Sequence, residues 1–206
     1  TRYWRDWSSD VCSSDLVSWH FPPEYQLTLL LTGTGQRGVG DSIEPVESGD
    51  LTLFGPNLPH FHDVDMPPRR GASGDRRRRV DAVIVHFDAE AFGPTFWSLP
   101  ETRAARDLLR SSARGIVFSR QARRRVERQL VGLLRLGPLP RLLGVVELLH
   151  ELARDTAARP ICSEAYTPFR DGAERDRMAA VIRRIQEQVR EGSPPSSRAE
   201  LAELAG

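Results

Sequence analysis

Lysine is missing from the chain. All 29 basic residues are arginine, which points to a GC-rich coding bias rather than a functional demand. Cysteine is scarce, with Cys12 and Cys162 alone. Cys12 falls in an anomalous leader, so no disulfide framework can be built and a reducing cytoplasm is the expected compartment. No basic or histidine neighbour in sequence argues for a reactive thiolate at Cys162. An excess of one charge is also lacking: 29 basic residues face 28 acidic ones, for a net charge of +1. That excludes a global electrostatic footprint for nucleic acid. No apolar run approaches the ~20 residues of a membrane-spanning helix, so no membrane partner is expected.

The leader reads DWSSDVCSSDL from Asp6 to Leu16. It has neither a helical nor a strand period, and its aspartates interrupt any apolar run of a secretion signal. Back-translated, it resembles a common short-read sequencing adapter over eleven consecutive residues. Residues 1–16 are therefore expected to be a non-native, disordered leader outside the fold. About 190 residues remain, enough for one core-forming domain with or without a short second one.

Two textures follow. From Val17 to about Phe87 the chain is rich in Gly, Pro, Thr and short apolar runs. Strands are expected at Tyr25–Thr32, Gln36–Val39, Ile43–Val46, Leu51–Phe54 and Val80–Phe87, separated by Gly-containing turns. Short strands at near-regular spacing argue for a sandwich or barrel. Beyond residue 93 the period is helical. Helices are expected at Glu101–Ala113, Arg120–Leu136, Arg141–Asp155 and Glu174–Glu191. The link Gly137–Pro140 makes the second and third an antiparallel hairpin. Leu142, Leu143, Val145, Val146, Leu148 and Leu149 then either pack in the core or form a dimer interface. After the linker GSPPS, Ser197 and Glu200 spell a capping box that opens a new helix. The chain stops soon after, at Gly206, and a truncation is expected there.

Between Pro67 and Arg79 six arginines stand against one aspartate. The stretch reads as a solvated loop or as a phosphate-binding patch; lacking interleaved aromatics, it fits the loop better. Gly33–Gly38 spells G-x-G-x-x-G after a strand, but a dinucleotide site needs a helix next. Here Gly40, Pro45 and two-residue alternation follow, so a hairpin arm is expected.

His20, Gln26 and Gly33 come at the spacing G-x5-H-x-H-x3-4-E-x6-G, with Pro22 at the second histidine position and Gln26 at the acidic one. Gly49 and His60 take the first Gly and the His of a second signature, G-x5-P-x-G-x2-H-x3-N. The pair resembles the two motifs of the cupin barrel. The wider stretch, from Trp19 to His60, is similar to the sensor domain of the arabinose-operon regulator (AraC) family of bacterial transcription factors. The helical half and the ending SSRAELAELAG resemble that family's linker and the first helix of its helix-turn-helix domain. The resemblance implies an α+β chain: a cupin-like jelly-roll barrel at 17–92, a helical dimerisation region at 93–170, a connecting helix and linker at 171–196, and the start of a DNA-binding domain at 197–206. It implies a small-molecule effector, possible sugars included, a homodimer, and DNA binding in the full-length protein but weak or none here, because the recognition helix lies beyond Gly206.

A metal-dependent cupin needs three or four converging ligands. Pro22 cannot coordinate through its side chain and Gln26 brings no charge, so neither a metal nor another cofactor is expected, and no catalytic residue is assigned. The expected use of His20, Gln26 and His60 is recognition of a polar ligand inside the barrel, with Glu24 and Arg37 at its mouth and Trp19 and Tyr25 available to stack on a sugar ring. His60 could instead close a barrel end. His62, His86 and His150 read as core or surface filling. The alternative function is a stand-alone metal-dependent cupin enzyme, an isomerase or dioxygenase.

Overall fold

The computed structural model describes residues 19–65, 82–167 and 172–205. The leader at 1–16 and the arginine-rich stretch at 67–79 lie outside these residues. The chain divides into two compact units, Thr1–Tyr166 and Thr167–Gly206.

Six strands open the first unit: β1 (Tyr25–Leu30), β2 (Thr34–Val39), β3 (Ser42–Glu47), β4 (Leu51–Phe54), β5 (His60–Asp65) and β6 (Ala82–Phe87). Helices α1 (Gly93–Ser98) and α2 (Arg103–Ser111), the short strand β7 (Ile116–Val117), helices α3 (Arg120–Gly132) and α4 (Pro138–Leu152), and the short strand β8 (Arg159–Pro160) complete it. The protein is thus α+β, and its paired strands are antiparallel.

The strands form two sheets, ordered β6-β1-β4-β7-β8 and β3-β2-β5. Strand β5 was not expected from sequence, because four of the six residues of HFHDVD are His or Asp and no apolar run marks it. It forms because β2 offers it a full partner, from Thr34 opposite Asp65 to Val39 opposite His60. Gly33–Gly38 leads into the β2–β3 hairpin and not into a helix. Gly40 turns that hairpin at φ +54°, a conformation that costs glycine little.

Strand alternation sorts the larger sheet into two faces. Leu27, Leu29, Leu51, Leu53, Val83, Val85 and Phe87 point to the helices and share one core with Leu108 and Leu109 of α2, Val126 and Leu130 of α3, and Val145, Leu148, Leu149 and Leu152 of α4. Burying each such side chain contributes about 1.5–3 kcal/mol. The opposite face meets the smaller sheet. There, apolar residues form two separate clusters, Leu30, Val46 and Ala82 in one, Val39, Phe54, Leu58, Ile161 and Cys162 in the other.

The expected hairpin is present. Gln129 of α3 donates to Glu147 of α4 at 3.1 Å, and Arg141 donates to the Leu133 carbonyl at 3.1 Å. Rising numbers on one helix meet falling numbers on the other, so the two run antiparallel. Ser119 caps α3 by accepting from the Ala122 amide at 3.1 Å, and Asp155 accepts from both the Ser119 amide and its hydroxyl. The second unit holds α5 (Gly172–Glu191) and α6 (Arg198–Ala205). Its capping box is reciprocal: the Ser197 amide donates to Glu200 at 2.7 Å and the Glu200 amide donates to the Ser197 hydroxyl at 3.3 Å. The Ser197 amide first, and then the Ser197 hydroxyl, favour the Glu200 carboxylate and hold its pKa below the usual value. Gln188 ties the linker down by donating to the Pro194 carbonyl and the Ser196 hydroxyl.

Candidate functional site

Between the two sheets the apolar clusters leave a polar layer. Residues opposite one another across a ladder share a face. Gln26 stands opposite His86 and Phe54, and Thr28 opposite Thr52 and Ile84. On the facing sheet Arg37 stands opposite both Glu44 and His62, and Val39 opposite His60. Gln26, Thr28, Arg37, Thr52, His60 and His62 are all buried, whereas His86 is exposed and His20 half-buried. The layer therefore reaches solvent beside these two imidazoles.

Gln26 is the hub. One end of its amide lies 3.0 Å from Nε2 of His60, 2.9 Å from Nε2 of His86 and 3.3 Å from Nε2 of His20. The other end lies 3.0 Å from the Thr28 hydroxyl. Nδ1 of His60 lies 2.8 Å from the Leu58 carbonyl oxygen. That oxygen only accepts, so His60 carries its proton on Nδ1. Complete burial, with His20 beside it, pushes the His60 pKa well below the usual value and keeps the ring neutral. A neutral ring protonated on Nδ1 presents a lone pair at Nε2, which an amide oxygen cannot face. The hydrogen bonds thus assign the Gln26 NH2 to the imidazole side and its oxygen to the Thr28 hydroxyl, which donates to it.

His62 is different. It is 2% exposed, its ring packs edge-on against Phe54, and its Nδ1 is buried without a hydrogen-bond partner. Burial first, and then the Arg37 and His20 charges, lower its pKa to about 3. Leaving such an atom unpaired costs about 1–3 kcal/mol, and unsatisfied buried groups in folded proteins call for a bound partner or a function.

Arg37 is not at a mouth. It is 1% exposed; its Nε donates to Glu44 at 2.8 Å and its Nη1 to Asp50 at 3.2 Å. Arg159 donates to the second oxygen of Glu44 at 2.7 Å. Two carboxylates draw the guanidinium inward because a buried charge needs paired, hydrogen-bonded partners. Glu24 is half-buried, one residue before β1, and no hydrogen bond joins it to the layer among the described residues. Tyr25 follows alternation to the helix side, stacked on Phe87 at 5.3 Å, and Trp19 packs on Phe61 at 4.8 Å. Neither aromatic lines the layer. His20 pairs with His60 through both main-chain hydrogen bonds and ring contact at 4.2 Å.

The structure brings His20, Gln26 and His60 together and adds His86 and Thr28 to them, with His62 and Thr52 buried in the same layer; from sequence His62 and His86 read as filling and the threonines were not singled out. A signal existed for His62, which lies two residues from His60 on a run that, read as a strand, puts both on one face. His86 needed the β1–β6 register. Nε2 of His20, His60 and His86 all converge on the Gln26 amide, at 2.9–3.3 Å. Among the described residues no group of His, Cys, Asp and Glu is placed to hold a metal, and no helix is long and apolar enough to cross a membrane. No protein-family model matches the chain, and no curated protein matches it significantly.

Proposed function

We propose that this chain is the ligand-sensing and dimerisation part of a transcriptional regulator of the AraC type. Its two facing sheets act as a cupin-like jelly roll that takes a small polar effector, with sugars among the candidates. The observation that carries this reading is the polar layer itself, and within it the unpaired Nδ1 of the buried His62. An otherwise apolar interior with a few placed donors and acceptors is the ordinary design of a small-molecule site. His62 supplies a donor or acceptor with nothing to bond, Gln26 supplies an amide, and His20 and His86 stand where the layer meets solvent. The layer binds rather than catalyses. It works in the cytoplasm in this reading, without a cofactor.

Signal transmission follows from packing. Strands β1, β4 and β6 carry polar residues on the ligand side and core leucines, valines and phenylalanine on the helix side. A guest that shifts one face shifts α3 and α4 on the other. Such a shift controls a downstream DNA-binding domain only to the extent that the guest binds the two arrangements unequally. The capped helix α6 is read as part of that domain.

The test is thermal unfolding of the whole chain against a panel of neutral monosaccharides, sugar acids and amino acids. One chemical class raises the Tm of the wild-type chain and leaves that of His62→Phe unchanged. A panel without any stabilising compound, or an equal rise in the variant, refutes the interior site.

A further inference from the structure

A second concavity lies on the other side of the larger sheet. It has a volume of about 640 Å³ and is lined by Tyr25, Glu90, Trp97, Arg106, Leu109 and Arg110 among others. Its floor is the start of β1, its walls are α1 and α2, and it shares no residue with the polar layer. We propose that this cleft is a second binding site, for a small monocarboxylate with an apolar body.

The charged end is specified by Arg106. Its Nη1 donates to the Trp97 carbonyl at 2.8 Å, which fixes the guanidinium plane, while its Nε is buried without a hydrogen-bond partner. Asp107 lies 3.9 Å from that Nε, close enough for attraction and too far for a hydrogen bond. An anchored guanidinium with unspent donors in a fork is the group that pairs with a planar carboxylate. Arg110 adds a second guanidinium at the exposed edge, 72% exposed and paired with Asp107 at 3.4 Å. The Tyr25 hydroxyl supplies a neutral donor; burial, with Glu90 and Asp88 nearby, raises its pKa and keeps it protonated.

The apolar end is specified by Trp97, Leu109, Pro94 and Ala89. The indole N–H is already spent on the Ala89 carbonyl at 2.7 Å, so this wall offers faces and not donors. Asp107 stands beside both arginines, at 3.4 Å from Arg110 and 3.9 Å from Arg106, so the recognising group is the anchored Arg106 fork and not a surplus of positive charge.

Isothermal titration calorimetry of the full chain tests the site, with 3-phenylpropanoate as probe and its neutral amide as control. The carboxylate is expected to bind saturably with a Kd below about 1 mM, and the amide at least about tenfold more weakly. Arg106→Gln is expected to weaken the carboxylate by about tenfold or more, and Arg110→Gln by about threefold. Ile43→Ser, at an exposed position of β3 outside both sites, is expected to change nothing, and because the cleft shares no residue with the polar layer, failure here is distinguishable from failure of the effector site. Loss of the Trp97 contact could unfold Arg106→Gln; Arg110→Gln, at an exposed position, then decides. No saturable binding, equal binding of the amide, or unchanged affinity in the folded arginine variants overturns the proposal.

Discussion

His60 and His62 show how two residues apart on one strand acquire different roles. Both are neutral because burial strips their charged forms of water. His60 satisfies both ring nitrogens, through Leu58 and Gln26, whereas His62 leaves Nδ1 open. Their depressed pKa values fix the sign of a pH effect. Unfolded histidines bind protons below about pH 6.5, and the folded ones do not until much lower pH, so acid favours the unfolded chain. Stability is full above about pH 6.5 and falls with decreasing pH by about 1.4 kcal/mol per pH unit for each of the two groups, for His62 down to its folded pKa of about 3. Urea unfolding between pH 7 and 5 measures this slope, and His62→Phe should remove one group's share of it. A slope unaltered by that substitution would contradict a neutral, buried His62.

At the scale of elements, backbone proximity decides what each glycine tolerates. Gly35 lies in β2 where it pairs with β5, and a methyl group there would meet the Asp63 carbonyl oxygen at 2.0 Å. Backbone cannot move aside without opening the ladder. Gly132 closes α3 with helical angles and open space around it. Gly35→Ala is therefore expected to destabilise by about 2 kcal/mol or more, in the range of overpacking. Gly132→Ala is expected to stabilise by about 0.5–1 kcal/mol through helix propensity. Chemical denaturation of the two variants side by side checks both signs. Neither outcome could be argued from sequence, where the two residues look alike. The capping box before α6 is the opposite case: Ser197 and Glu200 act on each other across three residues, and so the sequence carried the whole device.

For the whole molecule the open question about α4 was core against interface, and the fold separates buried leucines from exposed ones. Val145, Leu148 and Leu149 are buried in the chain's own core. Leu139 and Leu143 are not: they are 64% and 55% exposed, four residues apart on one stripe of the helix. Under the proposed function this stripe is where a second copy packs. Leu139→Ser with Leu143→Ser is expected to shift sedimentation from dimer to monomer while leaving the unfolding midpoint of the monomer within about 0.5 kcal/mol, as exposed positions do. A wild-type chain that sediments as a monomer at high micromolar concentration, or a double variant that stays dimeric, removes this stripe from the interface.

Local chemistry was legible in the residues alone. Two-residue alternation gave five of the strands, the helical period gave the hairpin and α5, and glycine marked the turns, because each of these signals acts over a few residues or repeats along one element; His20, Gln26 and His60 were linked only by the resemblance to the cupin motifs. What the tertiary structure decided was which side chains meet across elements. Strand register set His86 against Gln26 and turned Tyr25 to the helix side; two acidic partners drew Arg37 inside; sheet packing left His62 with an empty nitrogen. Those outcomes depend on distances between segments far apart in the chain, and only the folded backbone fixes them.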